Sequence, residues 1–141
     1  MKTCLVVPCY NEAQRFPQET FLSFLAQHPD LSLVLANDGS TDSTAAMLQL
    51  VHSKAPSQVH VLDRTVNKGK AETVREGMLH ALSLPQPPDI IGFWDADVAT
   101  PLNALHDMLP IMASRPGIQM IFGARVNLLR SEEHTSELQS H

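Results

Sequence analysis

Short apolar runs alternate with segments whose apolar residues recur every three or four positions, from the N-terminus to about residue 122. Thr3 to Val7 is a β-branched, apolar run that meets Pro8, the pattern of a buried parallel strand. Further strands are predicted over Leu31 to Ala36, Val59 to Leu62, Ile90 to Trp94 and Ile118 to Phe122. Between them the helical period predicts helices over Phe16 to His28, Thr41 to Lys54 and Gly69 to Leu84. The inner face of the last is read as Ala71, Val74, Met78 and Leu82. A fourth helix starts at Thr100-Pro101, a sound cap and first turn, and is expected to kink or end near Pro110. Strand and helix in strict alternation predict an α/β fold: a mostly parallel sheet, right-handed crossovers and helices on both faces.

In such sheets ligands bind beyond the carboxyl ends of the strands. Those positions are polar here: Tyr10-Asn11-Glu12, Asn37-Asp38-Gly39-Ser40, Asn67-Lys68-Gly69-Lys70, Asp95-Ala96-Asp97, and Arg125 after the fifth strand. Any one cluster is an ordinary turn; together on one rim they suggest a site. Asp95 and Asp97, one residue apart, can offer oxygen ligands to a hard cation such as Mg²⁺ or Mn²⁺, or Asp97 merely caps a turn before Thr100. Gly39 to Thr41 reads as a strand-to-helix turn with Ser40 or Thr41 as cap, whereas Asp38 can accept hydrogen bonds from a nucleobase or ribose. Lys68 and Lys70 open a helix, where positive charge is unfavourable unless an anion is near. Of Phe93 and Trp94, at least one is expected in the core.

Composition narrows the field. The 141 residues suit one domain of globular character, 43% hydrophobic and 18% charged. A net charge of −5 argues against a general nucleic-acid binder. No apolar run reaches the ~20 residues of a membrane helix, and the start, MKTCLVVPCYNE, is no signal peptide, so a cytoplasmic location is expected. Cys4 and Cys9 share one extended segment, too far apart for a disulfide, and are read as reduced structural thiols. The seven histidines share no metal-ligand spacing.

Four segments in this order, VVPCYNEAQRF, NDGSTDST, NKGKAETVREGM and FWDADVATP, resemble the family 2 glycosyltransferases of the GT-A fold, and FGARV continues the match. NxGKxxxVRxGM, DADxAT and GxRVxLL are most similar to the branch that transfers glucose or mannose to dolichyl or other polyprenyl phosphates. The resemblance implies transfer, with inversion, of a sugar from a UDP- or GDP-linked donor, with Mg²⁺ or Mn²⁺ as cofactor. It implies that Pro8, Tyr10 and Glu12 line the nucleotide pocket, that Asp38 contacts the nucleobase, and that Lys70 lies on the nucleotide side. Asp95 and Asp97 become the metal-binding pair, Asp97 the direct ligand. The full-length protein would then work at the inner face of a membrane.

Rival readings are weaker. A dinucleotide oxidoreductase needs a Gly-rich first turn, and no glycine occurs between Met1 and Asn37. A sugar-nucleotidyltransferase wants a basic, Gly-rich first loop, which YNEAQR is not. A non-catalytic nucleotide-binding fragment, or an inert truncation product, is the main alternative.

Residues 130 to 141, RSEEHTSELQSH, lack any aliphatic period and resemble the translation of a sequencing-library adapter. Setting them aside leaves residues 1–129 as a partial glycosyltransferase domain, the donor half, with net charge −3. The catalytic base for a hydroxyl acceptor is then expected beyond Leu129. A long DNA read across codons 125 to 135 should run past Leu129 into different sequence. A genomic copy of RSEEHTSELQSH followed by a stop would overturn the adapter reading.

Overall fold

The computed structural model describes residues 1–115 together with two further strands, Arg125–Leu128 and Ser136–Gln139. The chain divides into two compact units, Met1–Leu102 and Asn103–His141. The first holds β1 (Thr3–Cys9), α1 (Gln18–Gln27), β2 (Leu31–Asp38), α2 (Thr44–Lys54), β3 (Val59–Arg64), α3 (Lys70–Leu82) and β4 (Ile90–Phe93). Its sheet is parallel throughout, in the order β3-β2-β1-β4. The second unit contains α4 (Leu105–Ser114), entered through a 3-10 turn at Leu102–Ala104, and an antiparallel pair, β5 (Arg125–Leu128) with β6 (Ser136–Gln139). Among the described residues no helix is long and apolar enough to cross a membrane.

The strand order explains where the helices lie. The chain steps from β1 to β2 to β3 in one direction, then returns over both to reach β4 on the far side. Right-handed crossovers place α1 and α2 on one face and α3 on the other. Accordingly α1 touches α2, α2 packs on β3, and α3 lies over β1 and β2. On the α3 side Cys4, Val6, Val34, Ala36 and Ala81 form a buried cluster, flanked by Leu62, Met78 and Ile91. Alternation sends Leu5, Val7, Leu33 and Leu35 to the opposite face, where Phe21, Leu25, Leu48 and Val51 are buried too.

Several expectations need correction. The most buried face of α3 is Thr73, Gly77 and Ala81; of the expected residues Met78 does pack against the core, whereas Ala71 and Leu82 are exposed and Val74 is half-buried. The reason is distance: a Cβ at Gly77 would lie 2.4 Å from Val6 Cγ1, so the helix sits too close to β1 for larger residues to face it. β1 runs on through Pro8 to Cys9. β4 pairs with β1 only as far as Val6, and Trp94 N donates to Val6 O, so the nitrogen of Pro8 faces the side where β4 has already ended. No ladder bond is lost there. β2 likewise extends through Asn37 and Asp38, both buried. Of the two outcomes expected at Pro110, the helix does not end there: α4 carries the proline within it and runs to Ser114. Arg125 lies in β5 of the second unit, and residues 136–139, set aside with the tail, form β6. The strand expected at Ile118 to Phe122 lies outside the described residues.

Both cysteines are free and buried. Burial pushes the thiols of Cys4 and Cys9 up from their ordinary value, Glu12 adding to the effect at Cys9. His60 on β3 is pushed down from 6.5, first by burial, then by His80 and His52.

Two outcomes follow. Gly77→Ala should lose about 1 to 2 kcal/mol in urea unfolding, because overpacking against Val6 outweighs the ~1 kcal/mol helix-propensity gain. A stabilised variant would show that α3 moves off the sheet freely. The folded state prefers neutral His60, so its contribution is present above 6.5 and lost as the pH falls below. His60→Gln should therefore flatten the loss of stability that begins as the pH falls below 6.5.

Candidate active site

Four parallel strands bring their carboxyl ends to one rim, and the strand order reverses between β1 and β4. A reversal leaves a crevice, because the connections on either side depart over opposite faces. Here it holds a cleft of about 500 Å³. Pro8, Cys9, Tyr10 and Glu12 line it from β1, Asp38 from β2, Asn67, Gly69 and Lys70 from the opening of α3, and Asp95, Ala96 and Asp97 after β4. Seven of the residues singled out in the sequence (Pro8, Tyr10, Glu12, Asp38, Lys70, Asp95 and Asp97) thus line one cleft, whereas Arg125, expected on the same rim, is not among its lining.

The loop after β1 is sewn to the loop after β2. Asn11 adopts a left-handed φ of 52°, its N–H donates to Ser40 Oγ at 2.9 Å, and its Oδ1 accepts from Thr41 N at 2.9 Å. Glu12 N donates to the buried Thr44 Oγ1 at 2.9 Å. The expected cap at Ser40 or Thr41 does not form: α2 starts after Ser43, which makes no side-chain capping bond. Asp42 accepts from Thr44 N at 2.9 Å and from the Thr44 hydroxyl at 2.5 Å, bonds that hold its carboxyl below the usual range. Ser40 instead donates its hydroxyl to Asn37 Oδ1 at 2.6 Å, while Asn37 Nδ2 donates to Asp63 Oδ1 at 2.8 Å.

Asp38 is 4% exposed, and its carboxylate is in use within the chain. Oδ1 accepts from Lys68 N at 2.8 Å; Oδ2 accepts from Gly69 N at 3.1 Å and from Asn67 Nδ2 at 3.4 Å. Each carboxylate oxygen has two lone pairs, so Oδ1 keeps one for an incoming group. This bracing of the α3 entrance had no signal in the sequence beyond the turn-like NKGK. Gly39 secures the same contact. Its φ is +60°, and a Cβ there would lie 2.4 Å from Asn67 N, so the two loops meet backbone to backbone.

Across the cleft, Lys70 Nζ lies 2.5 Å from Asp95 Oδ1 and 5.7 Å from the centre of the Phe93 ring. The anion that a lysine at a helix start calls for is therefore the Asp95 carboxylate. Asp97 Oδ1 accepts from Ala99 N at 3.0 Å, and Val98 N donates to Asp95 O at 3.0 Å with Val98 at φ 46°. A β-branched residue at positive φ is strained, and such strain tends to gather at working sites. Trp94 is the core member of its pair, 7% exposed and donating Nε1–H to Thr100 O at 2.8 Å; Phe93 is 48% exposed.

Among the described residues no three His, Cys, Asp or Glu side chains converge as a closed metal cage. Two hard carboxylates on an open cleft suit a different arrangement, in which Mg²⁺ or Mn²⁺ takes one or two protein oxygens and completes its shell with water and phosphate. Asp95 and Asp97 fit that chemistry.

Comparison with known proteins gives this cleft a context. The chain is 36% identical over 110 residues to the dolichyl-phosphate β-glucosyltransferase of Drosophila melanogaster, covering 71% of this chain and 32% of that one. It is 31% identical over 107 residues to the dolichyl-phosphate β-glucosyltransferase of Trichomonas vaginalis, covering 70% and 31%. A poly-β-1,6-N-acetyl-D-glucosamine synthase of Staphylococcus epidermidis is 34% identical over 77 residues, covering 54% and 18%. The chain therefore spans between 18% and 32% of the length of these relatives. The fold is shared with a mannosyltransferase of Pyrobaculum calidifontis, solved in complex with GDP-Man and Mn²⁺. The TM-score is 0.57 at 24% identity, over 68% of this chain and 27% of that one. A family model described as glycosyl transferase family 2 matches residues 4–135, and the chain belongs to that family.

Proposed function

We propose that this chain carries the donor half of a metal-dependent, inverting glycosyltransferase whose acceptor is a polyprenyl phosphate. The observation that carries the reading is the convergence of four separate segments, after β1, after β2, before α3 and after β4, on one cleft at the strand-order reversal. The sugar-phosphate chemistry named for the dolichyl-phosphate relatives, and the GDP-Man and Mn²⁺ of the mannosyltransferase, support the same class of donor and acceptor.

In this reading Pro8, Tyr10 and Glu12 form one wall of the nucleotide pocket, Glu12 near the ribose or base, with Asp38 offering its remaining acceptor capacity to the base. Asp95 and Asp97 hold a divalent cation, Asp97 as the direct ligand, and Lys70 faces the diphosphate. When bound, the cation supplies Lewis-acid stabilisation of the charge that gathers on the departing diphosphate. An acceptor phosphate oxygen forms a bond to the anomeric carbon from the opposite side, and the bond to the diphosphate breaks with its electron pair leaving on the nucleotide. A lipid phosphate is already ionised at neutral pH, so the chain needs no base for that acceptor. With a lipid acceptor the reaction belongs at the inner face of a membrane. We propose too that the 141-residue chain binds donor without completing transfer.

Calorimetry with UDP and with GDP, each with and without Mn²⁺, tests the donor site. One of the two should bind in a Mn²⁺-dependent manner, and Asp97→Ala should weaken it on the order of a hundredfold. Its unfolding midpoint should barely move. Binding that ignores both Mn²⁺ and Asp97→Ala would sink the metal assignment, and no binding of either nucleotide would sink the donor site. Glycolipid formed by the 141-residue chain from sugar nucleotide and polyprenyl phosphate would refute the incomplete-transfer reading.

A further inference from the structure

Arg64, the last residue of β3, stands outside the cleft and was not singled out by any motif. Its side chain is only 9% exposed. Nε lies 3.2 Å from Glu76 Oε1, and Nη1 donates to Thr73 Oγ1 at 3.1 Å. Nη2 is buried with no acceptor among the described residues. An unmatched charged donor in the interior is costly, so this guanidinium is not placed for its own comfort. Its position follows from the two contacts it does make.

Both contacts lead to the residues that brace Asp38. Thr73 is fully buried; its hydroxyl accepts from Arg64 and gives its own proton to Gly69 O at 2.8 Å. That fixes the carbonyl of Gly69, whose N–H donates to Asp38. Glu76, held by Arg64, places its other oxygen 4.0 Å from Lys68 Nζ, and Lys68 N also donates to Asp38. The backbone closes the circuit, because Gly39 N donates to Arg64 O at 3.0 Å. Segment 65–69 is exposed along its length, so it owes its shape to these bonds rather than to packing.

We propose that Arg64 is the positioning residue of the cleft: acting through Thr73 and Glu76, it sets the Lys68–Gly69 amides that hold Asp38, and thereby the affinity for a nucleoside diphosphate. The affinity half rests on the nucleotide reading above; the hold on the loop does not. Lysine is no substitute, since an ammonium lacks the planar fork that meets a carboxylate and a hydroxyl together.

Hydrogen exchange on the 141-residue chain, as wild type, Arg64→Met and Arg64→Lys, separates the two halves. Arg64→Met should speed exchange at the Lys68 and Gly69 amides and raise the UDP or GDP dissociation constant, each roughly tenfold, with β1 and β2 still protected. Arg64→Lys should fall between. Should Arg64→Met fail to fold, Glu76→Gln gives the same local signature in weaker form. Exchange that rises evenly over the whole sheet, or stays unchanged at Lys68 and Gly69, would overturn the proposal and leave Arg64 a plain staple. Faster loop exchange with unchanged nucleotide affinity would overturn the affinity half alone. A wild type that binds neither nucleotide would fail the donor reading, with loop exchange still deciding what Arg64 holds.

Discussion

A buried carboxylate must be answered by hydrogen bonds, and the answer given to Asp38 organises the rim of this sheet. The end of β2 brings the charge into the interior, and the amides of Lys68 and Gly69 come to it. Once those two amides are fixed, the start of α3 is fixed, and Lys70 is delivered across the cleft to Asp95. The contact can form because Gly39 lets one backbone lie against the other. It persists because Thr73 orients the Gly69 peptide from beneath. A single charge thus ties three strand ends into one wall.

Much of this was legible from residue order. Short β-branched runs separated by helical periods specify a parallel sheet with little freedom, and the polar residues at the strand ends name the cleft walls before any coordinate is known. What could not be read was distance. Ala71, Val74 and Leu82 satisfy a helical stripe as well as Thr73, Gly77 and Ala81 do, and only the close approach of α3 to Val6 selects the second set. The strand ends were underestimated for a related reason. Asn37, Asp38 and Pro8 carry turn chemistry in isolation, but partners elsewhere (Asp63, the α3 amides, the early end of β4) let the extended conformation continue. Arg64 was invisible because its role depends on residues nine and twelve positions away in another element.

Family membership sharpens what the local chemistry means. Two aspartates on a strained turn, with a lysine paired to one of them, leave one negative charge unmatched, and under the proposed function a cation and a diphosphate would take over that pairing. The carboxylates sit on strand-end loops that the sheet core holds, so the exchange asks for little movement of the scaffold.

The early end of β4 has one more consequence. Among the described residues no strand lies beside Val7, Pro8 and Cys9 of β1 on that side, the kind of edge on which another extended chain could dock. At the one position in that stretch whose nitrogen faces outward, the residue is proline, which has no hydrogen to offer. Any strand laid along the floor of the cleft would therefore go without one ladder bond there.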